Sequence, residues 1–350
     1  MNQINMATFG LSDRFAVLAK EYTNLTVGRI LSQEKGLYRV ISENGEQFAE
    51  TSGKFRYEVK SVSRFPAVGD FVMVDCTKNN HHAIIHHVLP RKSAFIRKAA
   101  GTANKEQVVA TNIDNVFICM SLNNDFNPRR LERYLSVCWE SGAVPVVVLT
   151  KADLCNDTAE KILAVEAVTM GADVLVTSAI EEDGYKQVLH YVKAGQTIAL
   201  IGSSGVGKST LINCLLGENR IEVNSLRNDD KGRHTTTKRE LFLLPNGGLI
   251  IDTPGMRELG MWDTAGGLDK TFSDVEELSA NCRFKDCRHT SEPGCAILAA
   301  IESGNLSAER LRSYKKLQAE NAYAENTESY LAAKEQKLKD ISKLVKQIRK

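Results

Sequence analysis

Two stretches decide how this sequence folds: VVVLTKAD at 146–153 and IGSSGVGKST at 201–210. The first ends a β-branched run with a lysine and an aspartate two apart, a pattern that can read a guanine ring. The second has the glycine spacing of a phosphate-binding loop. In a GTP-binding domain of the usual order the phosphate loop comes first and the base-reading element later. Here the order is reversed, so either the likeness is accidental or the domain is rewired.

Gly202, Ser203, Ser204, Gly205, Val206, Gly207, Lys208 and Ser209 fit G-x-x-x-x-G-K-[ST], followed by Thr210, between an expected strand TIALIG (197–202) and an expected helix. The glycines let backbone N–H groups wrap a β-phosphate, Lys208 reaches the β and γ oxygens, and the Ser209 hydroxyl suits Mg²⁺. Downstream, GLIIDTPG (248–255) ends a strand at Asp252, which can hold Mg²⁺ directly or through water, while the Gly255 N–H can meet a γ-phosphate. Between them, residues 224–240 are polar and lack hydrophobic periodicity, as expected of a loop that closes over ligand. Its Thr235-Thr236-Thr237 run offers the hydroxyl for Mg²⁺ and γ-phosphate, from Thr235 or Thr236, with Thr236 carried as the metal ligand.

With the phosphate elements placed, the TKAD stretch gains weight. Guanine presents two donors on one edge and a carboxylate accepts both, so Asp153 selects against adenine, the Lys151 stem covers the base, and Thr150 lies beside it. The strand DVLVTSA (173–179) then supplies Ser178 and Ala179, where a backbone N–H can meet the guanine O6. The chain order is base, base, phosphate, switch, switch. Circular permutation yields it from the usual order without moving a residue in space.

Near-continuous apolar strands at 115–122, 144–150, 173–179, 197–202 and 248–253, with helical segments between several, imply a parallel sheet covered on both faces. Ahead of it, LTVGRIL, GLYRVIS, EQFAET, DFVMVD and HAIIHHV are five short β-rich runs within residues 25–90, and they fit a small barrel of the OB type. A possible helix precedes them at Leu11 to Tyr22, and PRKSAFIRKAAG (90–101) reads as a basic linker. His81, His82, His86 and His87 alternate along a strand, so they do not converge on one ion.

Cys282, Cys287, His289 and Cys295 form C-x₄-C-x-H-x₅-C, and three thiolates with one imidazole suit tetrahedral Zn²⁺ in a structural role, since four protein ligands leave no open position. The other cysteines, at 76, 119, 138, 155 and 214, are scattered singly and read as reduced. At 350 residues, 43% hydrophobic and 25% charged, the chain suits two or three domains and excludes a disordered or fibrous class. Its longest apolar runs fall short of the roughly 20 residues of a membrane helix, and no signal-peptide pattern opens the chain, so the expectation is a cytoplasmic protein without membrane partners. Net charge is only +2, but residues 1–100 carry 14 Lys/Arg against 9 Asp/Glu and residues 331–350 carry 7 against 2. Basic ends suit docking on phosphate backbone, and solvated surface lysines fit equally well. The helical tail has apolar Leu331, Leu338, Ile341, Val345 and Ile348 at helix spacing, for packing or for RNA contact by its basic face.

Through TKAD, GSSGVGKST, GRHTTT, DTPG and the cysteine cluster, the sequence resembles the circularly permuted GTPases that act on the small ribosomal subunit, the RsgA (YjeQ or EngC) family. The likeness runs over nearly the whole chain. It implies an α/β fold with an OB barrel and rRNA-binding segment over 1–98, a permuted GTPase domain over 99–273, and a zinc-binding helical domain with a basic tail over 274–350. It further implies a monomer using GTP/GDP, Mg²⁺ and one Zn²⁺, with the small ribosomal subunit and its rRNA as partners. GTP hydrolysis would be stimulated by the subunit and coupled to a late step of its maturation and to release. Two positions depart from common GTPase patterns: Thr150 stands where Asn is usual, and Met256 follows DTPG where Ras-like enzymes place a water-orienting Gln. His234, in GRHTTT, is similar to the family's candidate catalytic histidine and joins Lys208 as a catalytic candidate, although a solvated histidine fits the sequence as well. Two rivals are a GTPase acting on another RNA, such as one serving tRNA modification, and an RNA-binding scaffold that only holds GTP. The permuted order places the switch next to the zinc domain, so loss of γ-phosphate is expected to move that domain relative to the barrel.

Overall fold

The computed structural model describes residues 3–34, 36–76, 82–98, 106–221, 239–252 and 265–325. His81, His234, Thr235, Thr236, Thr237, Gly255, Met256 and the tail from residue 326 onward lie outside them.

The five β-rich runs are strands β1 (Thr26–Glu34), β2 (Leu37–Ser42), β3 (Gly45–Thr51), β4 (Phe71–Asp75) and β5 (His82–Val88), with helix α1 (Asp13–Ala19) before them and α2 (Gly53–Glu58) between β3 and β4. They pair in the order β1-β2-β3-β5-β4, and β4 pairs back on β1, so the sheet closes into a five-stranded barrel. The β3–β5 pairing is parallel and the others are antiparallel, as in an OB-type barrel. Alternation along β4 explains why it is buried on both sides. Val72 and Val74 fill the barrel with Ile30, Val40 and Ile85, while Phe71 and Met73 face Phe15 of α1, whose ring lies 4.3 Å from that of Phe71.

Beyond the barrel come strands β6 (Ala94–Lys98) and β7 (Glu106–Thr111), which form a separate antiparallel hairpin. The stretch read from sequence as a linker is therefore partly strand. Its alternation is too short to see, and its partner is the strand Glu106–Thr111 further along the chain.

The second body contains β8 (Asn115–Ser121), α3 (Pro128–Ser141), β9 (Val144–Thr150), α4 (Thr158–Glu166), β10 (Asp173–Val176), β11 (Thr197–Ile201), α5 (Lys208–Leu216), β12 (Glu240–Leu243) and β13 (Leu249–Asp252). The strands stand in the order β10-β9-β8-β11-β13-β12, parallel except for β12. Successive residues feed two cores. Ile118, Met120, Val147, Leu149, Ala199 and Ile201 pack with Leu131 and Leu135 of α3, whereas Phe117, Cys119, Val146, Val148, Ile198 and Leu200 pack with Leu211, Ile212 and Leu215 of α5. From β8 the chain steps outward to β9 and β10, then returns to β11 and steps the other way. The crevice at the carboxyl ends of β8 and β11 is thus the topological switch point, where such sheets bind ligands.

Strand β12 was not expected from the sequence. Its four residues, ELFL, follow the polar segment directly and show no clear period. It joins the two bodies, because Ser32 of β1 pairs with Glu240, whose carboxylate also accepts from Arg39 at 2.5 Å.

A third core, of Leu268, Phe272, Val275, Cys295, Ile297, Leu311, Tyr314 and Leu317, is built by α6 (Ala265–Thr271), α7 (Ser273–Ala280), α8 (Ala296–Glu302) and α9 (Ala308–Glu325). It sits against α3. At Gly267 a Cβ would lie 1.8 Å from the Ser136 carbonyl oxygen, so the α6–α3 approach depends on a residue without one.

Candidate functional site

The phosphate loop runs from the end of β11 into α5, whose first residue is Lys208. Gly202 has φ +142°, and a Cβ there would meet the Cys119 carbonyl at 2.3 Å, so the loop lies directly on the end of β8. The Lys208 ammonium donates to the carbonyls of Gly202, at 2.7 Å, and of Ser203. Those bonds fix the direction of the side chain. Ser209 and Thr210 occupy the first turn of α5, and Asp252 closes β13, the neighbour of β11.

Strand β9 brings the TKAD stretch to the same edge. The buried Thr150 hydroxyl donates to the Val206 carbonyl at 2.5 Å, tying the base-reading strand to the phosphate loop. The threonine therefore ties the TKAD stretch to the loop. Lys151 adopts φ +59°, an uncommon conformation outside glycine, held by the Leu154 N–H bonding to its carbonyl at 3.0 Å. Asp153 accepts from the Ser178 hydroxyl at 2.7 Å, which orients one carboxylate oxygen. The Ser178 N–H is spent on the Gly184 carbonyl at 3.1 Å, while the Ala179 carbonyl lies 3.8 Å from the Cys214 thiol of α5.

The structure thus brings Thr150, Lys151, Asp153, Ser178 and Ala179 beside Gly202 to Thr210, at one end of one sheet. It also reveals neighbours that sequence reasoning missed. Arg130, Leu131 and Tyr134 of α3 line a narrow cleft with Cys119, Met120, Ser203 and Val206. Burial pushes the Tyr134 phenol above its ordinary pKa. The sequence offered one signal for this helix, Asn127 before Pro128. That is a start signal with Asn127 Oδ1 accepting from the Arg129 and Arg130 N–H groups, and it says nothing about which face meets the loop.

In the third body, Cys282, Cys287, His289 and Cys295 place their donor atoms within 4.8 Å of one another. His289 Nδ1 lies 3.6 Å from Cys282 Sγ and 3.4 Å from Cys295 Sγ, and its Nε2 is 3.3 Å from the Ser279 hydroxyl. That arrangement leaves Nδ1 as the donor for a metal, with Ser279 orienting the ring. Burial lowers the pKa of His289, favouring the neutral, ligating form. Burial opposes ionisation of Cys282, but hydrogen bonds from the Ala296 and Ile297 N–H groups, together with those from the Cys295 and Cys287 side chains, outweigh it and favour the thiolate. Three soft sulfurs and one imidazole at this separation fit zinc.

A model of the RsgA GTPase family matches residues 88–262. A relative in Lactiplantibacillus plantarum, named small ribosomal subunit biogenesis GTPase RsgA 2, is 49% identical over 91% of this chain and 90% of its own. The chain belongs to the RsgA GTPase family. Relatives reach beyond close kin: one in Methanosarcina acetivorans, named small ribosomal subunit biogenesis GTPase RsgA, is 43% identical over 85% of this chain and 79% of its own. Among solved structures, YjeQ from Thermotoga maritima superposes with a TM-score of 0.64 at 25% identity, covering 85% of this chain and 99% of that one. YloQ, described as a circularly permuted GTPase, gives 0.60 at 24% identity and supports the fold. The reversed motif order is thus a permutation. Family membership makes the chain a GTPase, with GTP, GDP and Mg²⁺ as its cofactors.

Proposed function

We propose that this GTPase acts on the small ribosomal subunit, coupling GTP hydrolysis to a late step of subunit maturation and to its own release. The names of its relatives support the partner. The observation that carries the chemistry is the Thr150–Val206 bond, which sets a guanine reader and a phosphate loop at one crevice. Among the described residues no helix is long and apolar enough to cross a membrane. We read the chain as a cytoplasmic monomer.

On this reading Asp153 accepts both donors of the guanine edge and the Lys151 stem covers the ring. With the Ser178 N–H engaged, the Ala179 N–H meets O6. Backbone N–H groups from Gly202 to Ser209 hold the α- and β-phosphates, and Lys208 offsets charge on the β and γ oxygens as the bridging bond breaks. Ser209, Thr236 and Asp252 hold Mg²⁺, which neutralises phosphate charge, and Thr235 and Gly255 close on the γ-phosphate. His234 orients the water that attacks the γ-phosphorus, giving GDP and phosphate. The working division is a barrel over 1–98 that meets rRNA, a GTPase body over 99–273, and a helical body over 274–350 stapled by Zn²⁺ on Cys282, Cys287, His289 and Cys295.

The test is GTP turnover by the purified chain alone and with saturating small subunits, with large subunits and bulk tRNA as controls. A large increase confined to small subunits, abolished in His234→Ala, is the expected result. Stimulation by tRNA instead would sink the partner, and binding without turnover under every condition would leave an RNA scaffold.

A further inference from the structure

Strands β5, β3, β2, β1, β12 and β13 carry one continuous row of residues across the seam between the barrel and the GTPase body. His82 stands opposite Phe48, Phe48 opposite Arg39, Arg39 opposite Ser32, Ser32 opposite Glu240, and Glu240 opposite Asp252. Residues opposed in paired strands share a face of the sheet, so these side chains project on the same side. The row starts on the exposed outer wall of the barrel, at His82 and Phe48, and ends at the residue read as a Mg²⁺ ligand. Alternation along β12 fixes which side that is. Leu241 packs in the core shared with α3, whereas Phe242, on the face of Glu240, packs with the core of α5, the helix that follows the phosphate loop.

In the middle of the row one cation bridges the seam. Arg39 donates through Nε to Glu46 at 2.6 Å, while its Nη1 reaches over the small, buried Ser32 to Glu240 at 2.5 Å. The pair gains its importance from what lies on the other side of Glu240. Two carboxylates directly opposite in an antiparallel pair, with Cβ atoms about 5 Å apart, repel each other. Glu240 and Asp252 stand in that relation, so Arg39 neutralises Glu240 from the barrel side while a divalent cation at Asp252 is drawn by both charges from the other. Mg²⁺ keeps several of its waters and takes only one or two carboxylates directly, so a further carboxylate acts on it through that water shell. The seam itself is thin: β1 meets β12 at the single pair Ser32–Glu240, whereas β12 pairs with β13 along all four of its residues.

We propose that Glu240 is a second carboxylate of the magnesium site and that Arg39 of the barrel is the counter-ion that sets how much of its charge the ion feels. The proposal rests on the reading of Asp252 as a Mg²⁺ ligand and adds a dependence on the barrel. With the Arg39–Glu240 pair made, Asp252 attracts the ion largely by itself. A shift of β1 and β2 away from β12 breaks that pair but leaves Glu240 beside Asp252, so the charge falls on the ion and Mg²⁺ is held more tightly. By linkage the effect is reciprocal, and bound Mg²⁺ weakens the hold of Arg39 across the seam. Neither residue touches nucleotide; both act through the charge next to Asp252. Their side chains are 27% and 21% exposed, so solvent limits the effect to a few-fold change.

The experiment uses the full-length, zinc-loaded protein without ribosomes, so a failure of the subunit reading does not bear on it. GDP binding is titrated in chelator and across a Mg²⁺ series, which separates the Mg²⁺ midpoint of the GDP complex from the affinity for nucleotide alone. Asp252→Asn is the control and should raise that midpoint. Arg39→Met, which keeps an unbranched stem and removes the charge, should lower it roughly three- to tenfold, and Glu240→Gln, which keeps the shape, should raise it by a similar factor. In the Glu240→Gln background Arg39→Met should add little. A purely structural tie would instead change GDP affinity in chelator and leave the midpoint where it was. Should Arg39→Met fold poorly, Glu240→Gln carries the test by itself. A midpoint unmoved by Asp252→Asn overturns the metal reading and the proposal with it. A midpoint that answers to Asp252→Asn but does not move in opposite directions in the two folded variants, or stays put in Glu240→Gln, overturns the role of Glu240 and Arg39 alone.

Discussion

The Arg29 guanidinium donates to the Thr197 hydroxyl at 2.7 Å, joining a barrel strand to the first residue of the strand that ends in the phosphate loop. The same side chain, 1% exposed, bonds the Phe9 carbonyl at 2.6 Å and the Gly69 carbonyl at 3.3 Å. Burial lowers its pKa to about 10, against the pull of Asp114 and Asp70, and it stays charged at neutrality. Arg29→Met would leave those acceptors dry and unpaired, at a cost of about 3 kcal/mol. Denaturant unfolding of the full chain should show it. Arg29→Lys should rescue little, because an ammonium cannot span acceptors spread around a planar fork.

Thr150 and Asp153 are expected to fail differently. Thr150→Val keeps the shape and removes the bond to Val206, so GTP and GDP should both bind about fivefold more weakly, with the preference for guanine over adenine intact. Asp153→Asn replaces an acceptor by a donor at the guanine edge and should cost roughly 10- to 100-fold for guanine nucleotides alone. Titration with GDP and ADP separates the two, and equal losses for both variants on both nucleotides would refute the assignment.

The cysteine cluster should bind one zinc per chain, read by metal analysis of the purified protein. Cys295 belongs to the third core, so stripping the metal or making Cys287→Ser should unfold that body. A drop in Tm of about 10 °C or more on chelation is the expected scale. A chain that purifies metal-free with an unchanged Tm would show that the four side chains only pack.

Glu292 caps the turn of that cluster, accepting from the Thr290 N–H at 2.8 Å, the Ser291 N–H at 3.0 Å and the Arg288 N–H at 3.0 Å. These backbone bonds hold its pKa at about 2, below the ordinary 4.5. An acid depressed in the folded chain favours folding above its unfolded pKa, and the contribution fades as pH falls through the folded one. The stability gap between the parent and Glu292→Gln should therefore be full above about pH 4.5 and close towards pH 2. Thermal melts across that window check it, and a gap independent of pH would show that ionisation of Glu292 contributes nothing to stability.

At Gly267 any side chain meets backbone, with the Ser136 oxygen 1.8 Å from an added Cβ. Gly267→Ala should force α6 off α3 and destabilise by about 1–3 kcal/mol, despite alanine's higher helix propensity. A neutral or stabilised variant, by calorimetry, would show that the helices slide apart freely.

The sequence alone determined the motifs of a GTPase and their permuted order, because those signals are local. A phosphate loop is ten contiguous residues, a strand buried on both faces is a short β-branched run, and four metal ligands sit within fourteen positions. It determined the barrel for the same reason, through five brief runs broken by turn residues. It did not show β12, whose pairing depends on β13 and β1, or the hairpin inside an apparent linker. Nor did it mark Arg29, Glu132 or Arg310, since a charge that will be buried looks like any surface charge until its partners arrive from 168 or 178 positions away. Thr150 is the clearest division between the two. Its place in TKAD was legible in the sequence, and its bond to the Val206 carbonyl, 56 residues onward, exists only because β9 and the phosphate loop end at the same edge of one folded sheet.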